Sequence, residues 1–266
     1  MELECDNANW ERIREGKLDD WELVDDATLE NGSELKSPKL RDTKEAWQDL
    51  KNMCELLSRY SEIGKHCGSH VHIGKQAFGI KNESFINFMK LWSIYEPIIF
   101  RFTYGEFLGP RPFFTIVSKS ISRYFVDMCK YAKKENIDDK DFLVWFIGQD
   151  DAAIRFKHWF DLKTFEFRCP NGTLNPIIWQ NNANVFMKMV LYSGSGRFAS
   201  GLIDEKMERL FLTHLSDSEV HADYAIEFAD LVFDNNLDKI YFLRQYLKDF
   251  EKGGQYVKAK PFTQAL

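Results

Sequence analysis

Three of the six histidines in this chain fall within nine residues, in the string His66-Cys-Gly-Ser-His-Val-His-Ile-Gly74. His70 and His72 flank Val71, Glu2 and Glu4 flank Leu3, and Glu166 and Arg168 flank Phe167. Polar residues two apart around an apolar one share a single face of a strand, while the residue between them points the other way. One such pair is also what a solvent-facing sheet edge produces. Three of them in one sheet would gather carboxylates, imidazoles and a guanidinium on one surface. Clustered carboxylates repel one another and take up protons unless cations neutralise them. Oxygen-rich donors with an imidazole suit Mg or Mn, which prefer carboxylates, water and phosphates to thiolates. Zinc held by His66, Cys67, His70 and His72 is a competing reading, although consecutive residues of a strand cannot all face one way.

Familiar alternatives are missing. There is no G-x-x-x-x-G-K-[ST] and no G-x-G-x-x-G opening from a strand, and Gly194-Ser195-Gly196 follows a helical segment and reads as a loop. Neither H-E-x-x-H nor G-x-S-x-G occurs. A Ser-His-Asp site assembled from distant residues stays open on pattern alone.

The elements that must position these pairs are legible in outline. Glu2 to Cys5 reads as a strand, and Trp21–Val24 and Glu34–Ser37 flank the turn Glu30-Asn31-Gly32 as a hairpin. A helix is predicted from Asp42 as N-cap through Leu57, and it leads into the histidine strand. Helix is predicted from Asn82, broken near Pro97 and again at Gly109-Pro110-Arg111-Pro112. Further helices are expected over Ser118–Lys134 and Asp141–Ile147, then strands over Ala153–Phe160 and Thr164–Arg168. The remainder reads as helices over Pro176–Tyr192, Glu205–Leu215, Glu219–Phe233 and Leu237–Phe250. On the helices, Phe85, Phe88, Trp92, Phe186 and Met189 have the spacing of a buried stripe, and Leu3, Val71 and Phe167 should lie beneath them.

With 266 residues and 44% hydrophobic content, the chain can bury a substantial core. A net charge of -6 argues against nucleic acid or an anionic membrane as partner, since both call for clustered Lys and Arg. No run is long and apolar enough for a membrane span, and Met1 to Asp6 lack the pattern of a secretory leader. Five cysteines, odd in number and without a C-x-x-C pair, are expected to be reduced thiols, so the location expected is cytoplasmic. On that expectation the glycosylation-type matches at Asn31, Asn82 and Asn171 are incidental.

A family resemblance is carried by Glu2-Leu-Glu4, Asp26-Ala-Thr-Leu29, Gly32-Ser-Glu-Leu-Lys-Ser-Pro38, Cys67-Gly-Ser-His-Val-His-Ile-Gly74, Phe165-Glu-Phe-Arg168 and Asn171-Gly-Thr-Leu-Asn175. In order and spacing these strings resemble the amidoligase family, carboxylate-amine ligases related in fold to glutamine synthetase, over about residues 1 to 200. The resemblance implies an α+β fold. Its antiparallel curved sheet would form a half-barrel with helices on the convex face and with ATP and Mg (or Mn) on the concave one. The whole chain, 1–266, would be one catalytic domain, with 200–266 as a helical C-terminal extension. Carried over by position, Glu2, Glu4, Glu34, His70, His72 and Glu166 would be metal ligands, and Glu166 and Arg168 would serve catalysis. Arg111 and Arg155 would bind substrate carboxylate or phosphate, unless they form surface ion pairs. The family also has residues ahead of the Glu-x-Glu strand, whereas Glu2 here follows Met1.

The activity so implied is ATP-dependent amide formation through an acyl phosphate, on an amino acid, a peptide or a cell-wall-type substrate. The partners would be a small-molecule or peptide carboxylate and an amine. A metal-dependent hydrolase or phosphoesterase would use the same donors to hold a metal-bound hydroxide. A binding module that kept the fold is the third class. Repulsion among Glu2, Glu4, Glu34 and Glu166 further predicts that neutralising Glu166 leaves the metal-free protein at least as stable.

Overall fold

Alternating residues sort into the two faces of one antiparallel sheet. Its strands are β1 (Glu2–Cys5), β2 (Glu22–Asp25), β3 (Ser33–Lys36), β4 (Ser69–Gly74), β5 (Ile154–Arg155) and β6 (Thr164–Phe167). They lie in the order β2-β3-β1-β4-β6-β5, and every neighbouring pair is antiparallel. The register aligns Leu23, Leu35 and Leu3 in one row and Ile154, Phe167 and Val71 in another. Leu3, Leu35, Val71, Ile154 and Phe167 are all buried. A slip of one residue would turn them out and bury the charged face, so the alternation itself specifies the pairing. The computed structural model describes residues 1–16, 20–29, 31–79, 82–109, 111, 121–138, 141, 142, 144, 146, 153–212 and 222–248.

Helices pack on the apolar face and on one another. They are α1 (Trp10–Glu15), α2 (Lys44–Tyr60), α3 (Asn82–Thr103), α4 (Ile121–Glu135), α5 (Pro176–Ser193), α6 (Ser200–Leu212), α7 (Ala222–Val232) and α8 (Asn236–Leu247). From α5, Phe186 stacks on Phe167 with ring centroids 3.9 Å apart, and from α3, Trp92 and Phe88 pack on the same ring at 5.8 and 6.1 Å. Phe85, Phe88, Trp92, Phe186 and Met189 are all buried, as their spacing requires. The aromatic contacts continue outward from α3, with Tyr95 on Phe228 of α7 and Phe102 on Phe242 of α8. The sheet is open, and all five cysteines are free thiols.

Several elements differ from the expectation. The strand predicted over Ala153–Phe160 lasts only two residues, and a 3-10 turn, Lys157–Trp159, follows. Phe156 and Trp159 are both buried, and the turn is what carries two aromatics three residues apart to the same side. Helix α3 runs straight through Pro97. An interior proline costs roughly 3 kcal/mol, and here the helix buries side chains on nearly every side, so packing outweighs that cost. The N-cap of α2 is Thr43, whose side chain accepts from Ala46 N, while Asp42 accepts from Trp47 Nε1 at 2.7 Å. Helix α1 was not expected, being too short for periodicity to register. The predicted break at 109–112 and the helix at 141–147 fall partly outside the described residues. So do 213–221 and the end of the last predicted helix.

Candidate active site

The polar face of the sheet centres on His70. Antiparallel pairing sets Glu2 opposite both Lys36 and His70, Glu4 opposite Glu34, and Glu166 opposite both His72 and Arg155. Cross-strand neighbours on one face come within side-chain reach, so residues from five strands converge. His70 Nδ1 lies 3.2 Å from Glu2 Oε2, 3.2 Å from Glu166 Oε1 and 3.9 Å from Glu34 Oε1. Its Nε2 lies 3.3 Å from Glu4 Oε1, and His72 Nε2 lies 3.2 Å from Glu2 Oε1. Neither Nε2 completes a hydrogen bond, although both atoms are buried. Buried polar atoms are normally satisfied, so the unsatisfied His72 Nε2 facing Glu2 leaves room for a cation, while the His70 Nε2 faces Glu4.

Among the described residues, two groups have donor atoms close enough to hold one ion: Glu2 with Glu34 and His70, and Glu2 with His72 and Glu166. Within each group the donor atoms lie within 4.8 Å of one another, and Glu2 belongs to both. The donors are carboxylate oxygens with one imidazole in each group, the set that suits Mg or Mn. His66 and Cys67 are in neither group. The Cys67 Sγ accepts a hydrogen bond from Gly64 N, and burial keeps the thiol protonated. Glu4 is likewise outside both groups, since its Oε2 accepts from Gly68 N at 2.5 Å.

Glu166 lies between guanidiniums. Arg168 Nη1 donates to its Oε1 at 2.5 Å, and Arg155 Nη1 stands 3.9 Å from its Oε2. Arg168 Nε is buried without a hydrogen-bond partner, leaving a donor for an anion. Arg111 is buried, and it spends its guanidinium on the backbone, donating to the carbonyls of Pro170 and Arg168. Asn171 supports the same strut by accepting from Arg111 N and donating to Gly109 O. Gly68 is what lets these groups close up. A Cβ at that position would stand 2.9 Å from both Arg111 Nη2 and His70 Nε2.

The electrostatics follow from this crowding. Burial and the neighbouring Glu2 carboxylate push the Glu34 carboxyl up to about 8. Burial also opposes ionisation of Glu2, but its contacts with His70 and His72 prevail and hold it below the usual carboxylate range. Glu166 is lowered as well, because His70, Arg168 and His72 outweigh its burial. Thus Glu2 and Glu166 stay ionised near neutrality, while Glu34 keeps a proton that a cation would displace.

Two groups at the site were not singled out from the sequence. Lys36 places its Nζ 3.5 Å from Glu2 Oε1 and 3.3 Å from Glu34 Oε2. Its signal was present, because Glu34 and Lys36 flank Leu35 in the same alternation. His158 lies with its ring centroid 6.3 Å from that of His72, and its Nδ1 is 3.2 Å from Asp161 Oδ2. No spacing rule marks it, because the 3-10 turn delivers it to the sheet.

The open antiparallel sheet thus carries helices on one face and clustered acids, histidines and arginines on the other, donors of the types that metal ions and anions use. Residues 5–102, just over a third of the chain, match a family model described as "Putative amidoligase enzyme". That match supports the amidoligase resemblance and, at this coarse level, a ligase-type enzyme. It includes Glu34, His70 and His72, while Glu2, Glu4, Glu166 and Arg168 lie outside its span. No curated protein and no solved structure matches the chain. Among the described residues, no helix is long and apolar enough to cross a membrane.

Proposed function

We propose that this chain is an ATP-dependent carboxylate-amine ligase, with a glutamine synthetase-like half-barrel as its scaffold and Mg or Mn on the polar face of the sheet. The observation that carries this reading is the convergence at His70: two donor groups sharing Glu2, with an unsatisfied His72 Nε2 and an unused Arg168 Nε beside them. Joining a carboxylate to an amine in water requires activation, and ATP with its divalent ions would supply the phosphoryl group, through an acyl phosphate, and neutralise its charge.

The chain's own residues position reactants and stabilise charge. Glu2, ionised and common to both groups, would help hold either cation. Glu34 and His70 would complete one site, and His72 and Glu166 the other. Glu4 holds the Gly68 backbone and faces His70 Nε2, so its part is to orient the imidazole. Glu166 also fixes the Arg168 guanidinium, whose Nε would meet an oxygen of the transferring group. Arg155, at the far side of Glu166, would meet the substrate carboxylate or phosphate, while Arg111 braces the Arg168 backbone from behind. The substrates would be a carboxylate and an amine of amino-acid, peptide or cell-wall-precursor type.

The test incubates the full chain with ATP, Mg or Mn, and a mixture of amino acids and peptides. ADP and phosphate should appear only when carboxylate and amine are both present, together with a product lighter than its parents by one water. ATP consumption without amide, or hydrolysis of the mixture without ATP, would overturn the ligase reading. Arg168→Ala should lower the rate by about 10³ to 10⁵, the range found when an arginine that stabilises a transferring phosphoryl group is lost.

A further inference from the structure

The acid cluster already has a cation of its own. Lys36 is the cross-strand neighbour of Glu2, and its ammonium lies within ion-pair distance of Glu2 Oε1 and Glu34 Oε2. Those two residues form one donor group with His70, so the lysine occupies carboxylates that a divalent ion needs. On its other side, Lys36 pairs in register with Glu22 of the edge strand β2, an exposed carboxylate. Directly opposed side chains have Cβ atoms about 4.5–5.5 Å apart, well within the reach of a lysine stem.

We propose that Lys36 is an exchangeable counterion: in the metal-free protein it neutralises Glu2 and lies against Glu34, it swings to Glu22 when a divalent ion arrives, and so it sets the affinity of the site. The inference rests on the metal reading above and names the residue that regulates it. An ammonium and a divalent cation cannot share two carboxylates without strong repulsion. The lysine side chain is 36% exposed, so it can leave the cluster without crossing a packed core. Its flexible stem and compact charge suit a group that moves. Glu22 supplies the landing place, on a strand that has no neighbour on its outer side among the described residues.

The experiment measures Mn²⁺ binding to the chelator-treated full chain by calorimetry and by the magnetic resonance signal of free Mn²⁺. Lys36→Met should melt at a lower temperature without metal yet bind Mn²⁺ about tenfold more tightly, whereas Lys36→Arg should stay near wild type. A purely structural lysine would give the first effect without the second. Glu22→Gln should weaken binding a few-fold in the wild-type background and have no effect in the Lys36→Met background, because the two residues act through one contact. Equal or weaker binding by Lys36→Met, with wild type binding normally, would overturn the counterion role and leave the metal site standing. Should Lys36→Met not fold, unchanged affinity in Glu22→Gln would overturn it equally. Failure of wild type to bind Mn²⁺ would remove the metal reading, and this inference with it.

Discussion

At the scale of single residues, Glu34 makes the metal-free site sensitive to pH. Burial and Glu2 raise its carboxyl to about 8 in the folded chain, against 4.5 for an ordinary glutamate. Between those values the folded state keeps a proton that the unfolded chain has released, so stability falls as pH rises. The contribution is fully present below about 4.5 and lost as pH passes through about 8. Glu2 and Glu166 are shifted the other way, so their contribution is lost only in acid. Melts in chelator should therefore show the unfolding temperature dropping from pH 5 to pH 8, and Glu34→Gln should flatten that slope. Saturating Mn²⁺ should oppose the drop, because the ion replaces the proton. The structure also revises the expectation for Glu166. It is buried against Arg168, so Glu166→Gln removes the carboxylate that holds that guanidinium and should cost about 1–3 kcal/mol in the metal-free protein. Denaturant unfolding with and without chelator measures this, and a variant as stable as wild type would restore the repulsion argument.

At the scale of elements, the site depends on how closely the segment before β4 approaches its neighbours. Gly68→Ala would drive a methyl against His70 Nε2 and Arg111 Nη2, moving the imidazole or the strut behind it. A loss of about 1–3 kcal/mol is expected, with a fall in Mn²⁺ affinity of tenfold or more. Gly201→Ala is the control, since a Cβ there meets nothing within 4 Å near the start of α6. It should hold or gain up to about 1 kcal/mol and leave metal binding unchanged. On the opposite face, Phe167 carries the stack from Phe186 and the contacts of Phe88 and Trp92. Truncating it to alanine should cost about 3–5 kcal/mol, and it should disturb the site as well, because Phe167 stands between Glu166 and Arg168 at the end of β6.

At the scale of the whole molecule, the sheet joins residues separated by more than a hundred and sixty positions, so ligand and fold stability are linked. An ion and nucleotide that bind only the folded chain stabilise it by mass action, about 2.7 kcal/mol at a hundredfold excess over Kd. For a chain of this size that corresponds to a rise of roughly 5–10 °C in the unfolding temperature. Thermal melts with Mn²⁺ and ATP, each alone and together, should show the rise. Its absence in wild type would count against both sites on the polar face.

The alternation in Glu2-Leu-Glu4, His70-Val-His72 and Glu166-Phe-Arg168 was enough to assign the two faces of their strands, because side-chain direction in a strand is a local property of period two. Helical spacing likewise marked Phe85, Phe88, Trp92, Phe186 and Met189 as core, since amphipathic period is also local. Strand order is a different kind of information. That β1 lies between β3 and β4, bringing Glu2 against Lys36 on one side and His70 on the other, follows from long-range pairing that no window of sequence contains. The same holds for Arg111, whose place behind Arg168 depends on two distant loops meeting at Asn171. Pro97 and the strand ending at Arg155 went against local expectation for one reason: burial of large aromatic surfaces outweighs the roughly 1–3 kcal/mol that local preferences command, and only the assembled core decides how much surface each segment buries.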